Sequence, residues 1–378
     1  MKDWPIKICI FGRTVLALEG KSSGGAELQK SLLARALALN GHDVIVLDPE
    51  NAKEFITTEG IVVQTIKEWS NGIRGVRTFT HRIPKLITFL KNQHVDAVYV
   101  RGFHFWYFVL LLISKRLKSK FILACAHDSD ALGFCTRYSL FYSHNLNVWE
   151  WISNYMPSEL AAPWILKYAD LILVQNVNQY DALTKRGERP LIFRNIIEEY
   201  TPTITINQPK NGYIIVGALN VRKGLPQMIR LVTDCADHNF IIIGPATDSE
   251  GKKAYKTLKK LPNVNLLGKL DRNETMNKIA GAKALVNTSS MEGFPNTFLE
   301  AWSLGIPVLS LIVNPDNIFN RYEVGEVCNG DLELLKRKII HFNNRFSSEI
   351  MKAYVRKNHG FITASSRFNL ILKERFGQ

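Results

Sequence analysis

The sequence predicts an α/β protein with two domains, each built around a parallel sheet. Units of strand, loop and helix follow one another in both halves, beginning with the apolar runs Ile6–Phe11 and Tyr213–Val216. The chain has 378 residues, more than one ordinary hydrophobic core contains. The segment Glu198–Lys210 includes two prolines and few large apolar residues, which is typical of a linker. The domain boundary is therefore expected there.

The composition is that of a globular protein with a positive surface. Hydrophobic residues make up 46% of the chain and charged residues 22%, and the net charge is +14. Such a charge favours an anionic partner, either nucleotide phosphates or an acidic membrane surface. Nucleic acid is not expected as a partner, because no nucleic-acid-binding motif is present.

The cysteine pattern and the hydropathy indicate a cytoplasmic location. The five cysteines are odd in number and include no C-x-x-C pair, which favours reduced thiols without a zinc site. No apolar run approaches the ~20 residues that cross a bilayer, and the N-terminus has no signal-peptide layout. We expect a cytoplasmic protein, with peripheral contact at the inner face of the membrane as an open alternative.

A βαβ unit opens the first domain. Strand Ile6–Phe11 leads through a long loop to Gly24 and Gly25, which begin a helix. Two glycines at a helix N-terminus permit the close approach of a phosphate, although a plain turn explains them equally well. Asp48 follows the second strand, Asp43–Leu47, as an acidic residue does in nicotinamide-cofactor sites. The G-x-G-x-x-G spacing is absent, so a dehydrogenase is not expected.

An aromatic and largely apolar helix follows strand Val95–Val100. It ends in four cations, which are Lys115, Arg116, Lys118 and Lys120. Cations at a helix C-terminus are favoured by the helix dipole, and an anionic-lipid contact is the alternative.

The segment 131–164 is rich in aromatic residues but has no clear period. It includes Trp149 and Trp151. We interpret it as a segment that faces a substrate or a membrane, and packing between the domains explains it equally well.

Strand Phe121–Ala126 leads directly to His127 and Asp128. The carboxyl end of a parallel strand is where ligands bind in open α/β sheets. A histidine directly after such a strand is better explained as a site residue than as a structural one. The sequence therefore predicts that His127 contacts a substrate.

The first strand of the second domain is followed by a glycine-rich, basic loop. Gly217 begins this loop, which ends in Arg222, Lys223 and Gly224. A cation here can bind an anionic group of a ligand. A surface pair of arginine and lysine is the alternative.

Residues 284–311 provide the strongest prediction of a site. They read as a buried strand, a loop, a helix whose first position is Pro295, and a glycine cap at Gly305. The loop amides can bind a phosphate or a sugar oxygen. Glu292 precedes those amides and Glu300 lies two turns into the helix, and each carboxylate can accept hydrogen bonds from sugar hydroxyls.

Glu292, Glu300 and the GFPN sequence between them resemble the E-x7-E signature of retaining glycosyltransferases of family 4, which have the GT-B fold. Residues 217–224 resemble the family's GRL-x3-KG motif, and Gly24 and Gly25 resemble its GG-x-E loop. The resemblance implies two Rossmann-like, doubly wound parallel-sheet domains that face each other across a cleft. The expected domains are an acceptor-binding domain at 1–198, a nucleotide-sugar-binding domain at 205–355, and a terminal helix at 356–378 that crosses back to the first domain.

The resemblance also implies a role for each matching residue. Lys223 would neutralise the donor diphosphate, and Arg222 would replace the family's arginine, which is Ala218 here. The implied catalytic residues are His127, Arg222, Lys223 and Glu292. The implied donor-binding residues are Gly24, Gly25, Gly217, Arg222, Lys223, Glu292, Gly293, Phe294, Pro295, Asn296 and Glu300. The residues expected on the acceptor side are Asp128, Trp149 and Trp151.

The implied enzyme is a hexosyltransferase that moves a sugar from a UDP- or GDP-linked donor to a glycan or lipid-linked acceptor. Surface polysaccharide or glycolipid biosynthesis is the expected pathway. The resemblance implies no cofactor and no metal, since the D-x-D sequence at residues 128–130 is a motif of the different GT-A fold. A GT-B sugar-nucleotide epimerase, which needs no acceptor, and a non-catalytic glycosyltransferase-like partner protein are the alternatives.

Overall fold

The chain forms two compact units. The computed structural model describes residues 5–21, 24–50, 53–73, 76–132, 156–202 and 211–377. The first unit consists of Met1–Ile196 together with Phe361–Gln378, and the second of Ile197–Gly360. The boundary between the two units thus lies at Ile197, next to the predicted linker. The C-terminal segment that belongs to the first unit begins at Phe361 rather than at residue 356.

The first unit is organised around a sheet that is parallel apart from one edge pair. Its described strands are β1 (Lys7–Phe11), β2 (Asp43–Leu47), β3 (Phe55–Ile56), β4 (Val62–Gln64), β5 (Ala97–Arg101), β6 (Lys120–Ala124), β7 (Leu171–Val174) and β8 (Pro190–Ile192). Their order is β3-β4-β2-β1-β5-β6-β7-β8, with β3 and β4 antiparallel. Successive side chains of β1 enter two separate cores, Ile8 and Ile10 on one face and Cys9 and Phe11 on the other. Both faces are therefore covered, as expected for a parallel sheet.

Helices cover the two faces of this sheet. In chain order they are α1 (Val15–Leu18), α2 (Gly25–Leu39), α3 (Ile83–Gln93), α4 (Phe105–Leu117), α5 (Met156–Tyr168) and α6 (Val177–Thr184). The short α1 lies within the long loop predicted after β1. A one-turn 3-10 helix, Asp128–Ala131, follows β6.

The second unit contains a fully parallel sheet. Its described strands are β9 (Tyr213–Val216), β10 (Phe240–Ile243), β11 (Val264–Gly268), β12 (Ala284–Asn287), β13 (Val308–Ser310) and β14 (Gly325–Val327). Their order is β11-β10-β9-β12-β13-β14. β9 and β12 are neighbours, with Ala284 beside Tyr213 and Leu285 beside Ile214. The loops that leave these two strands therefore start side by side at the carboxyl edge.

The helices of the second unit again lie on both faces of the sheet. They are α7 (Leu225–Asp234), α8 (Ser249–Leu258), α9 (Arg272–Ala280), α10 (Asn296–Ser303), α11 (Ile318–Arg321), α12 (Leu332–Ile340) and α13 (Ser348–His359). The last helix, α14 (Phe361–Phe376), belongs to the first unit, where Phe368 is buried and its ring lies 4.9 Å from that of Phe193.

Candidate active site

Two loops of the second unit are tied together at the carboxyl edge of its sheet. The loop after β9 contains a 3-10 turn, Val221–Lys223, and the loop after β12 begins at Thr288. The hydroxyl of Thr288 donates to the carbonyl of Lys223 at 2.8 Å, and the amide of Ser290 donates to the carbonyl of Arg222 at 3.2 Å. These two hydrogen bonds hold the basic loop against the loop that contains Glu292.

Lys223 and Glu292 form an ion pair across these loops. The amine of Lys223 donates to Oε1 of Glu292 at 2.5 Å. The side chains are 23% and 14% exposed, so the pair is sheltered from most of the solvent but remains reachable by a ligand. A charge-assisted hydrogen bond in a partly desolvated site is stronger than its surface counterpart. The structure thus brings together two residues that the sequence assigned to opposite ends of a donor sugar.

Gly217 leaves the space that the Lys223 side chain occupies. Gly217 has φ +147°, and a Cβ at this position would lie 2.9 Å from Cε of Lys223. A Cβ this close would force the lysine to move, so glycine is required here for two reasons, its backbone angle and its lack of a side chain.

Glu300 lies buried in α10 and pairs with Arg272. Nη1 of Arg272 donates to Oε1 of Glu300 at 2.9 Å. Burial raises the pKa of the Glu300 carboxyl, and the nearby Arg272 guanidinium opposes that rise. A carboxylate that is 8% exposed is not the solvated helix residue that a chance E-x7-E match would place here.

Arg272 was missed by the sequence reasoning. It is the first residue of α9, which Asp271 and Glu274 cap reciprocally, with the Asp271 side chain accepting from the Glu274 amide at 2.7 Å. A capping box that begins three residues after the end of β11 indicates, from the sequence alone, that Arg272 lies at the carboxyl edge.

The residues between the two glutamates are more buried than predicted for a loop that only contacts a ligand. Phe294 is 3% exposed, and its ring lies 4.6 Å from the ring of His359 and 6.4 Å from that of Trp302. The side chain of Phe294 therefore belongs to the core of the unit. Gly293 is also buried.

The helix start differs from the prediction by one position. Pro295 is the N-cap of α10, with φ −62° and ψ 125°, and Asn296 is the first helical residue. Proline was predicted at the first helical position, but its extended ψ places it just outside the helix. At the other end, Gly305 has φ +71°, as predicted for a left-handed cap.

Arg222 is exposed on the 3-10 turn. Its amide donates to the side chain of Asn220 at 3.2 Å, and its guanidinium makes no ion pair with a described residue. The charge predicted to replace that lost at Ala218 is thus present next to Lys223 and open to solvent. No described group of three or more acidic, histidine or cysteine residues is arranged as a metal site.

His127 and Asp128 lie at the carboxyl edge of the sheet in the first unit, as their position after β6 predicted. His127 is half-buried and is the N-cap of the 3-10 helix that follows. Oδ1 of Asp128 accepts from Asn176 and Gln179, both at 2.8 Å. Oδ2 of Asp130 accepts from the amides of Ala126 at 2.6 Å and His127 at 3.1 Å. Both aspartates of the D-x-D sequence therefore have structural partners.

Gly24 and Gly25 begin α2 as predicted. Gly24 is the N-cap, and its amide donates to Oε2 of Glu27 at 2.7 Å. A phosphate that bound the Gly24 amide would have to displace this carboxylate. Trp149 and Trp151, predicted on the acceptor side, lie outside the described residues.

The sequence matches one protein-family model over most of the second unit. The model is that of glycosyl transferases group 1, and it matches residues 197–359. No curated protein sequence matches the chain.

Solved structures similar to this fold cover nearly the whole chain at low sequence identity. Sucrose-phosphate synthase from Thermosynechococcus elongatus superimposes with a TM-score of 0.75 at 13% identity, covering 98% of this chain and 99% of that one. Anabaena HepE, in complex with UDP and glucose, gives 0.69 at 14% identity, with coverages of 97% and 99%.

A sugar-nucleotide epimerase also shares the fold. UDP-GlcNAc 2-epimerase from Methanocaldococcus jannaschii gives a TM-score of 0.57 at 13% identity, covering 97% of this chain and 99% of that one. At such identities these likenesses establish the fold alone. The chain therefore has the GT-B fold, and its residues 197–359 match the model of the glycosyl transferases group 1.

Proposed function

We propose that this protein is a retaining glycosyltransferase. It transfers a hexose from a nucleotide-sugar, UDP- or GDP-linked, to a glycan or lipid-linked acceptor in surface polysaccharide or glycolipid biosynthesis. The observation that supports this most directly is the sheltered ion pair of Lys223 and Glu292 at the carboxyl edge of the second unit. An ammonium and a carboxylate held together are the two groups that a charged diphosphate and a neutral sugar require.

In this proposal the second unit binds the donor. Glu300 accepts hydrogen bonds from the ribose hydroxyls, and Arg272, 2.9 Å away, orients its carboxyl group and opposes the rise in its pKa that burial causes. The amides of Gly293 and Asn296 and the exposed Arg222 contact the sugar and the phosphates. Glu292 accepts from the hydroxyls of the transferred sugar.

The chemical step breaks the bond between the anomeric carbon and the diphosphate oxygen. Lys223, released from Glu292 when the donor binds, stabilises the charge that the leaving diphosphate gains. The acceptor hydroxyl forms the new bond to the anomeric carbon on the same face, and its proton passes to a phosphate oxygen of the leaving group. His127 contacts the sugar or the acceptor.

UDP is the first nucleotide to test, because the similar HepE structure contains UDP and glucose. Calorimetric titration with UDP, GDP and ADP should give saturable binding for one of them. Lys223→Ala and Glu292→Ala should each abolish transfer without a change in the unfolding midpoint. Transfer at the wild-type rate in both variants would reject the proposal.

An epimerase is the second candidate, because the Methanocaldococcus jannaschii epimerase has the same fold. It would use the donor edge alone. Incubation of the protein with a nucleotide-sugar and no acceptor separates the two functions. Inversion of a sugar carbon, seen by NMR, would establish the epimerase, whereas an unchanged nucleotide-sugar favours the transferase.

We also propose that the first unit contacts an anionic membrane surface. Leu160, Trp164 and Tyr168 follow one another at four-residue intervals on α5, and they are 61%, 53% and 45% exposed. The rings of Trp164 and Tyr168 stack 6.0 Å apart. Lys167 lies on the same helix, 5.5 Å from the Tyr168 ring. An apolar stripe with interfacial aromatic residues and an adjacent cation suits a bilayer surface.

Vesicle sedimentation tests this contact. Vesicles with acidic headgroups should retain the wild-type protein at low salt, and neutral vesicles should retain less. Trp164→Ser should weaken retention severalfold, whereas a substitution of the exposed Tyr322 in the second unit should not. Equal sedimentation of all variants would remove the membrane contact. No described helix is long and apolar enough to span a bilayer.

A further inference from the structure

Two cations of the first unit are buried at the carboxyl edge of its sheet without an acidic partner. Lys30 of α2 is 4% exposed and Arg101, the last residue of β5, is 9% exposed. Neither forms an ion pair with a described residue. Buried lysines and arginines are rare, and those that occur are normally paired with acids.

The amine of Lys30 has one weak partner. It donates to the carbonyl of Phe11 at 3.4 Å, which leaves two of its three hydrogen atoms without an acceptor in the described chain. The nearest acids are engaged elsewhere, since Glu27 accepts from the Gly24 amide, and Asp48 accepts from the amides of Thr14 at 3.4 Å and Glu50 at 3.3 Å. Burial lowers the pKa of Lys30 to about 8.

Arg101 has neutral partners and an unused donor. Its Nη2 donates to Oδ1 of Asn195 at 2.6 Å, and the hydroxyl of Tyr99 is a second neutral partner. Its Nε is buried and has no hydrogen-bond partner in the described chain. A buried donor without an acceptor is unfavourable for folding.

The two cations lie at the same edge of the sheet. β1 and β5 are parallel neighbours with Ile10 beside Tyr99, so the chain leaves both strands at this edge, after Phe11 and after Arg101. A Cβ on Gly12 would lie 3.1 Å from the Lys30 amine and 3.7 Å from the Tyr107 hydroxyl. The amine of Lys30 and the hydroxyl of Tyr107 thus lie beside Gly12, which has φ +96°, and the positive charge of Arg101 is near enough to contribute to the lowered pKa of Lys30.

We propose that Lys30, Arg101 and Tyr107 bind an oxyanion, a carboxylate or a phosphate, that belongs to the acceptor. This rests on the proposed transferase function, in which the first unit receives the acceptor. An oxyanion supplies the acceptors that the ammonium and the guanidinium Nε lack, and the hydroxyl of Tyr107 adds a neutral donor. The acceptor is then an acidic or phosphorylated glycan.

Binding and structural roles for Lys30 predict different effects of its replacement on stability. A buried ammonium with one weak hydrogen bond contributes little to folding, so in the binding role an apolar residue of similar length should not destabilise the free protein. A structural role predicts that the same replacement destabilises it. A residue that is unfavourable for folding and required for a ligand is expected at a binding site.

The experiment uses inorganic phosphate and glucuronate as separate probes. The full chain is titrated with each at pH 7 and constant ionic strength, and binding is followed by the unfolding midpoint and by NMR line broadening. Lys30→Met should weaken the apparent affinity for the bound probe at least tenfold, and Arg101→Gln should do the same. Lys91→Met, an exposed lysine on α3, is the matched control and should bind as the wild type does.

The outcomes separate this inference from the proposed function. Probe binding that is unchanged in both Lys30→Met and Arg101→Gln would overturn the anion site. Competition between UDP and phosphate at this site would show that the site binds the donor, and it would overturn the proposal that it binds the acceptor. Loss of probe binding in Lys30→Met, with UDP affinity unchanged, is the expected result. If no nucleotide binds the wild type but the Lys30-dependent probe effect persists, the anion site stands and the transferase proposal fails.

Discussion

The cations at the carboxyl edges of the two sheets have different kinds of partner. In the second unit each partly buried cation at the edge faces a carboxylate, Lys223 with Glu292 at 2.5 Å and Arg272 with Glu300 at 2.9 Å. In the first unit Lys30 and Arg101 are more deeply buried, and they face a carbonyl and an amide oxygen. Because both units have the same kind of sheet, the fold does not determine this difference.

The difference indicates two ways of preparing a binding site. A paired cation is stable without its ligand, and it must exchange one partner for another when the ligand arrives. A buried cation without an acid is unfavourable until an anion binds, so its partner is expected to come from outside the described chain. Removal of the cation should therefore stabilise the free protein at the unpaired edge but not at the paired edge, and it should weaken ligand binding at both.

The largest effect is expected at the paired edge. Lys223→Met should lower kcat by about 10²–10³-fold, because it removes the cation that stabilises the leaving diphosphate. Single-turnover transfer with saturating donor is the measurement. Lys253→Met removes an exposed lysine of the same unit, paired with Glu250 at 2.7 Å, and should retain wild-type turnover. A similar loss in both variants would show that general charge rather than position matters.

At the unpaired edge, Lys30→Met should stabilise the free protein at pH 7. The folded-state pKa of Lys30 is lowered from 10.5 to about 8. The free-energy cost of burying the charged amine is therefore fully present below pH 8, and it is lost as the pH rises toward 10.5. The wild type should therefore gain stability relative to the variant over that interval, by up to about 3 kcal/mol at 1.36 kcal/mol per pKa unit. Urea unfolding at pH 7 and pH 10 measures the difference, with Lys91→Met as the control. A variant that is less stable than the wild type at pH 7 would contradict the contrast between the edges.

Glu300→Gln should weaken nucleoside diphosphate binding by roughly tenfold, the value of one charged hydrogen bond of about 1.5 kcal/mol. Burial raises the pKa of Glu300 above its ordinary value of 4.5, so the folded state binds the proton more tightly than the unfolded state. The stability that the protonated Glu300 carboxyl contributes is present below pH 4.5 and is lost as the pH rises through the folded-state pKa. The variant should match the wild type in acid and exceed it in stability at neutral pH. Calorimetry and pH-dependent unfolding measure both effects, and Glu323→Gln, exposed in the same unit, should alter neither.

The smallest effect is expected at Gly217. Gly217→Ala places a methyl group 2.9 Å from Cε of Lys223 at a backbone angle of φ +147°. We expect a loss of about 1 kcal/mol in unfolding free energy and a few-fold loss in turnover, because the lysine chain can shift. Gly281→Ala is the control, since the nearest atom to its added Cβ is 3.8 Å away. Unchanged turnover in Gly217→Ala would show that the position of the Lys223 amine is not critical.

Much of the second unit could be predicted from local patterns. The Glu292 and Glu300 spacing, the basic loop at Lys223 and the glycine cap at Gly305 are each contained in a few consecutive residues. Their positions after buried strands placed them at the carboxyl edge, because parallel strands end together. The family resemblance, confirmed for the second unit, added the fold of the whole chain.

The pairing of those residues could not be predicted in the same way. Lys223 and Glu292 are 69 positions apart, and Arg272 and Glu300 are 28 apart. Phe294 was assigned to the donor site by its place in the loop, yet its ring packs against Trp302 and His359. Lys30 had no motif around it, and its burial depends on β1 and on Gly12.

The sequence alone determined the periodic strands and helices, the glycines that turn the chain, and which short loops follow buried strands. These properties depend on residues within a few positions of one another. The tertiary structure decided which cations meet carboxylates and which are buried beside neutral oxygens. The physical reason is that the energy of a charge depends on its distance from water and from other charges, and packing distant segments together sets both distances.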